Sequence, residues 1–155
     1  MTEKRILLLL NHNLTEELYN VVHDLSDTEL LYVAPTIDER SICDVAIHVH
    51  RPVLAATAVV TGRAWPPRPS WPTDGAALQA LLTAMADEIN RWLSNVDEEM
   101  LSLPVTLRWG YFATGSEAIL NSLVHGFVHV GAIRGIRAIG DFPLPLKDNT
   151  GSKHV

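Results

Sequence analysis

Apolar residues recur along this chain at spacings of three and four, the period of a helix with one buried face, in four separate stretches. In the first, Ile6, Leu7, Leu10, Leu14, Leu18, Val21, Val22 and Leu25 form a stripe that predicts a helix from about Lys4 to Leu25, broken at Ser26-Asp27. Leu8 and Leu9 spill onto the opposite side and predict burial there as well. A second helix is predicted to begin at Ser41, because Ser41-Ile42-Cys43-Asp44 sets a capping hydroxyl three residues before an acid. It should run through Val45, Val49, Val53 and Val60 to a stop at Gly62. Pro52 has no N–H to offer the His48 carbonyl, and a kink is expected there. The third stripe is Leu78, Leu81, Leu82, Met85, Ile89, Trp92, Leu93 and Val96, with Gln79, Asp87, Arg91 and Asn95 facing outward. The fourth helix is predicted from about Ser116 to Ile139, closing at Gly140, and its Gly126, Gly131 and Gly135 should let neighbouring helices approach closely.

The connections differ in character. Residues 64–72, Ala-Trp-Pro-Pro-Arg-Pro-Ser-Trp-Pro, are too rich in proline for helix or central strand. Polyproline geometry advances about 3.1 Å per residue, so this connector can cross most of the length of a helical bundle. Between Pro104 and Phe112, Val105, Leu107, Trp109 and Tyr111 alternate with Thr106, Arg108 and Gly110, which predicts a short extended segment at the bundle edge. The expected fold class is therefore all-α: a four-helix bundle over residues 1–142, with long connections between helices two and three and between three and four. Residues 143–155 are expected to form a loosely held tail.

Composition narrows the function. With 12 Lys+Arg against 18 Asp+Glu, the formal charge is -6 and no basic stripe stands out, so nucleic acid is not an expected partner. Cys43 is the only cysteine, which excludes an internal disulfide and fits a reducing compartment. Lys4-Arg5 before Ile6–Leu10 imitates the start of a signal peptide, but the apolar run ends at Asn11-His12-Asn13, too early for one. No stretch is expected to reach the roughly 20 apolar residues of a membrane span. A cytoplasmic protein without a membrane partner is the expectation.

The chemistry lies in the histidines. His125 and His129 are four residues apart in an otherwise apolar helix, which stacks them on one face. Two imidazoles so placed can share one metal ion, or they can be neutral core residues satisfied by hydrogen bonds. His48 and His50 are two residues apart and point about 200° from each other on a helix, so only one of them can join such a site. Its neighbours Val45 and Val49 favour His48 as the inward one. His12 is a candidate supporting group beside the site, His23 suits the negative end of the first helix, and His154 lies in the tail. Glu117 and Asn121 extend the His125–His129 stripe in four-residue steps and are candidate catalytic groups, with Glu117 equally suited to the first turn of its helix. Cys43 reads as a small buried hydrophobe. Trp65, Trp71, Trp109 and Tyr111 can rim a pocket or cap the core. Arg134 and Arg137 can hold an anionic substrate or pair with surface acids.

Three segments resemble the DinB/YfiT-like metalloenzyme family. They are Leu10-Asn11-His12-Asn13 with Leu25-Ser26-Asp27-Thr28-Glu29-Leu30, then Ser41-Ile42-Cys43-Asp44-Val45-Ala46-Ile47-His48, then His125-Gly126-Phe127-Val128-His129-Val130-Gly131-Ala132-Ile133 running to Gly140. Their order and separations suit the family from about residue 5 to residue 142. The family often has a polar residue where this chain has Ala132. The resemblance implies a four-helix bundle with a divalent metal, Zn or Ni, held by His48, His125 and His129. It further implies a thiol-dependent enzyme of S-transferase or isomerase type, using a low-molecular-weight thiol and a small-molecule substrate, and a homodimer. The metal would lower the pKa of the thiol or of a water. The alternative is a metal- or ligand-binding helical bundle without catalysis.

Overall fold

Each long helix begins where a side chain takes over one of the backbone N–H groups that the first turn leaves unpaired. Thr2 accepts from Arg5 N, Ser41 from Asp44 N, Asp74 from Ala77 N and Thr114 from Glu117 N. The computed structural model, which describes residues 1–145, accordingly contains α1 (Glu3–Val22), α2 (Asp27–Leu30), α3 (Ile42–Val60), α4 (Gly75–Ser94), α5 (Glu98–Ser102), β1 (Val105–Leu107), β2 (Gly110–Phe112) and α6 (Gly115–Ile139). Among the described residues the fold is all-α apart from the β1–β2 hairpin.

The four long helices, α1, α3, α4 and α6, pack around one core in which Leu14, Leu18, Ile42, Ile47, Leu78, Ile89, Ile119, Leu123 and Ile133 are fully enclosed. α6 lies against α1 and α3, and α4 against the same two, leaving α1 and α3 across the diagonal. Contacts along the helices fix their directions. Ser116 hydrogen-bonds Glu3 and Arg137 hydrogen-bonds the Val21 carbonyl, so α1 and α6 run parallel. Gly115 sits on Val60 and Gly126 on Val49, so α3 and α6 run antiparallel. Lys4 reaches the Val96 carbonyl and Gly75 N donates to Asp27, so α4 opposes α1 and is parallel to α3. A parallel pair in sequence demands a connection that travels the full helix length. Residues 61–74 provide it, since fourteen residues in extended polyproline form reach about 43 Å and α3 is about 29 Å long.

Several expectations need correction. α1 ends at Val22, α2 is a short helix at the expected break, and α5 is another in the connection between the third and fourth long helices. Leu9 is 49% exposed, so the second face of α1 is not covered along its length. The extended segment near residue 104 is a hairpin, with Val105 paired to Phe112 and a turn at Arg108-Trp109. As read from the sequence, α3 continues through Pro52. Of the three glycines expected to let neighbouring helices approach, only Gly126 does so; Gly135 receives Ile37 from the α2–α3 loop, and Gly131 faces open space. Leu144 and Phe142 pack on the core, so the tail is held at its start; residues 146–155, His154 among them, lie outside the described residues. α3 and α6 are each long and apolar enough to cross a membrane by length and composition, contrary to expectation. Both contribute residues to the core, with 67% and 44% of their most apolar windows buried.

Candidate metal centre

The close approach of α3 to α6 creates the site. At Gly126 a side chain would meet Leu14 Cδ2 at 2.8 Å and the Val49 carbonyl oxygen at 3.1 Å. Only the missing Cβ lets the α3 backbone settle there. That contact lies one residue from His125 on α6 and one residue from His48 on α3, and it brings the two helices' imidazoles together. The nitrogen atoms that His48, His125 and His129 can offer to a metal lie within 4.8 Å of one another. His125 Nε2 and His129 Nε2 are 2.9 Å apart, and the His48 ring stands edge-on to both, with centroids at 5.7 and 4.8 Å.

This donor set fits a divalent ion. Nitrogens bound to one ion at the usual Zn–N length stand about 2.9–4.1 Å apart as the angle between them opens from 90° to 180°. The His125–His129 pair is already in that range, and the widest separation needs less than about 1 Å of ring movement. Three imidazoles leave at least one coordination position for water or substrate. Burial and the nearby Arg40 push His48 down to about 4, and burial with His125 lowers His129. Both rings are therefore neutral near pH 7, with lone pairs free to coordinate. His48 and His129 are half-buried and His125 is exposed, so the group is open to solvent on one side. The same 2.9 Å approach is also a good hydrogen bond when one neutral ring donates and the other accepts.

An acid that the sequence does not single out lies close enough for its charge to act on the group. Asp38 exerts a charge effect on His129 and is itself held to about 2, chiefly by the Arg40 guanidinium, which donates to both carboxylate oxygens. Its loop is pinned on α6 by Ile37, whose Cδ1 fills the notch left by Gly135. Nothing in Asp38-Glu39-Arg40 sets it apart from any charged loop; only the Ile37–Gly135 contact gives it a place.

The other candidates sort cleanly. Glu117 and Asn121 are exposed on α6; Glu117 is in the first turn, and it is not one of the clustered ligands. His12 is exposed beside Glu16 on α1, and His23 caps the end of α1 by bonding the Tyr19 carbonyl. Cys43 is buried, and burial pushes its thiol up to about 11, which makes it inert. Arg134 pairs with Glu17, while Arg137 is buried and grips Asp24, Val21 and Phe142, so neither is free for substrate. His50 corrects the reading of α3. It is the more deeply buried of the two histidines, at 1% exposure, and it points away from the cluster. It lines a separate cavity of about 580 Å³ between α1 and α4, with Nδ1 lacking a protein partner.

A cavity of about 500 Å³ opens beside the cluster and shares His48 with it. Its walls come from α3, the proline-rich connector and the hairpin turn. Trp65 and Trp109 meet edge to face there, at 5.7 Å between centroids, so these two aromatics do rim a pocket. Trp71 and Tyr111 are exposed elsewhere. Comparison of the chain with models of known protein families and with curated protein sequences finds no match.

Proposed function

We propose that this chain is a divalent-metal-binding protein of the DinB/YfiT-like four-helix type, and that it is an enzyme activating a low-molecular-weight thiol, or water, at His48, His125 and His129. One observation carries the reading: three histidines from two antiparallel helices bring their ligand atoms within 4.8 Å of one another, and one of them, His48, also lines a cavity. A bound Zn or Ni would supply Lewis acidity, lowering the pKa of a thiol or water brought to it. The protein's own contribution is positional. Gly126 sets the spacing of the ligand helices, and the loop anchored by Ile37 holds Asp38 where its charge acts on His129. The tryptophan-lined cavity gives a second reactant a surface next to His48. The same reading places the protein in the cytoplasm. It also covers the exposed apolar stripe Leu120, Val124 and Val128 with a second copy of the chain. The hydrogen-bonded approach of His125 to His129 favours the competing reading, a helical bundle whose histidines do no chemistry.

Metal analysis of protein purified without a histidine tag decides between them. Near-stoichiometric Zn or Ni is expected in the parent. It should be lost in His48→Ala and in the His125→Ala/His129→Ala double variant, with the helical circular dichroism unchanged. No metal in the parent, and none taken up on adding Zn or Ni, would overturn the enzyme reading.

A further inference from the structure

The cavity beside His48 carries a charge pattern that the molecule as a whole does not. The chain is acidic, with a formal charge of -6, yet three guanidiniums line this one cavity: Arg51 from α3, Arg68 from the connector and Arg108 from the hairpin turn. Among the described residues, no carboxylate lines it. Of the nine arginines, Arg40, Arg91, Arg134 and Arg137 are in ion pairs. Among the described residues, three of the remaining five line this cavity. Like charges gathered without a counter-charge are unfavourable unless something neutralises them. The crowding is felt locally, since burial and the charge of Arg68 both lower the pKa of Arg51. The aromatic wall is arranged around the same charges: the Arg108 guanidinium stacks 4.1 Å from the Trp65 ring centroid. Stacking fixes the plane of the guanidinium and leaves its N–H fork free for an oxyanion.

We propose that this cavity binds a small organic anion, its carboxylate or phosphate group held by Arg51, Arg68 and Arg108 and its flat apolar part laid against Trp65 and Trp109, which places the molecule beside His48. The binding itself stands without a metal; only the assignment of the anion as a reactant rests on the function proposed above. Guanidinium forks recognise carboxylate and phosphate alike, and the Trp pair adds preference for a planar body.

The test is tryptophan fluorescence titration of the full chain with phthalate, inorganic phosphate and the uncharged phthalamide. Phthalate should bind, phthalamide should not, and added salt should weaken the binding. Phosphate equal to phthalate would assign recognition to the guanidiniums alone; phthalate tighter than phosphate would add the tryptophans. Arg68 and Arg108 are exposed, so Arg68→Ala/Arg108→Ala leaves the core untouched and should weaken phthalate at least tenfold. No binding by the parent, equal binding of phthalamide, or unchanged affinity in that double variant would overturn the proposal. The same titration on His125→Ala/His129→Ala, which alters no residue of the cavity wall, separates the two readings. Anion binding kept there, in a protein whose parent holds no metal, leaves this site standing while the metal centre falls; a parent with metal but no anion binding gives the reverse.

Discussion

Arg137 shows how much one residue can hold. Its guanidinium is almost fully enclosed and donates to the Val21 and Phe142 carbonyls and to both oxygens of Asp24, joining α1, α6 and the chain that leaves α6. Arg137→Leu should destabilise the fold by about 2–4 kcal/mol in urea unfolding, because two carbonyls and a carboxylate lose their partner at once. The pair also predicts a pH dependence. The Arg137 hydrogen bond lowers the pKa of Asp24 below its unfolded value, so the contribution is complete above about pH 4 and is lost as pH falls through the folded pKa. Asp24→Asn should therefore cost stability at pH 7 and much less at pH 3. At this scale the sequence was only partly legible. The His125–His129 pair follows from four-residue spacing, and that spacing is a local property of a helix. The choice of His48 over His50 rested on neighbouring valines, and it picked the residue that joins the cluster while missing that His50 is the more buried. Arg51, Arg68 and Arg108 come from three separate segments and meet only once the chain is folded, so no local pattern announces them.

Among the elements, α6 carries a built-in control experiment. Gly126 and Gly131 occupy the same helix five residues apart, one pressed against Leu14 and the Val49 backbone and the other facing open space. Gly126→Ala should cost about 1–3 kcal/mol by forcing α3 outward, and it should weaken metal uptake by moving His48 away from its partners. Gly131→Ala should instead stabilise by up to about 1 kcal/mol, the ordinary gain in helix propensity. Thermal melts of both variants, with metal content measured alongside, check the pair. Caps made the long helices readable: Ser41 and Gly140 mark boundaries within a residue of where they fall. α2 and α5 escaped because four or five residues contain too little of a helical period to register. The hairpin was read as one extended segment for a related reason. Three-residue strands alternate too briefly to show where the chain turns back.

For the whole molecule, the exposed apolar stripe of α6 gives the oligomer prediction. Leu120, Val124 and Val128 are 42%, 54% and 64% exposed at successive four-residue steps, a continuous apolar line along one helix. Val124→Glu/Val128→Glu should shift the protein from dimer to monomer in light scattering coupled to gel filtration; a monomeric parent would remove the second copy from the reading. Ion binding should also be visible as stability, since a ligand at a hundred times its dissociation constant adds about 2.7 kcal/mol to the folded state. The all-helical class was legible because four amphipathic stripes leave few other ways to bury their faces. Helix directions were not, although the length of the proline-rich segment hinted that two successive helices run the same way.

That segment has a consequence for how such a protein could diversify. Residues 66–71 run outside the helices while contributing Arg68 to the cavity wall, and none of them is fully buried. What the cavity accepts and whether the chain folds are thus written largely in different residues. A library randomised over residues 66–71 should yield mostly folded proteins with altered ligand preference, much as a loop on a rigid frame can be exchanged without rebuilding the frame.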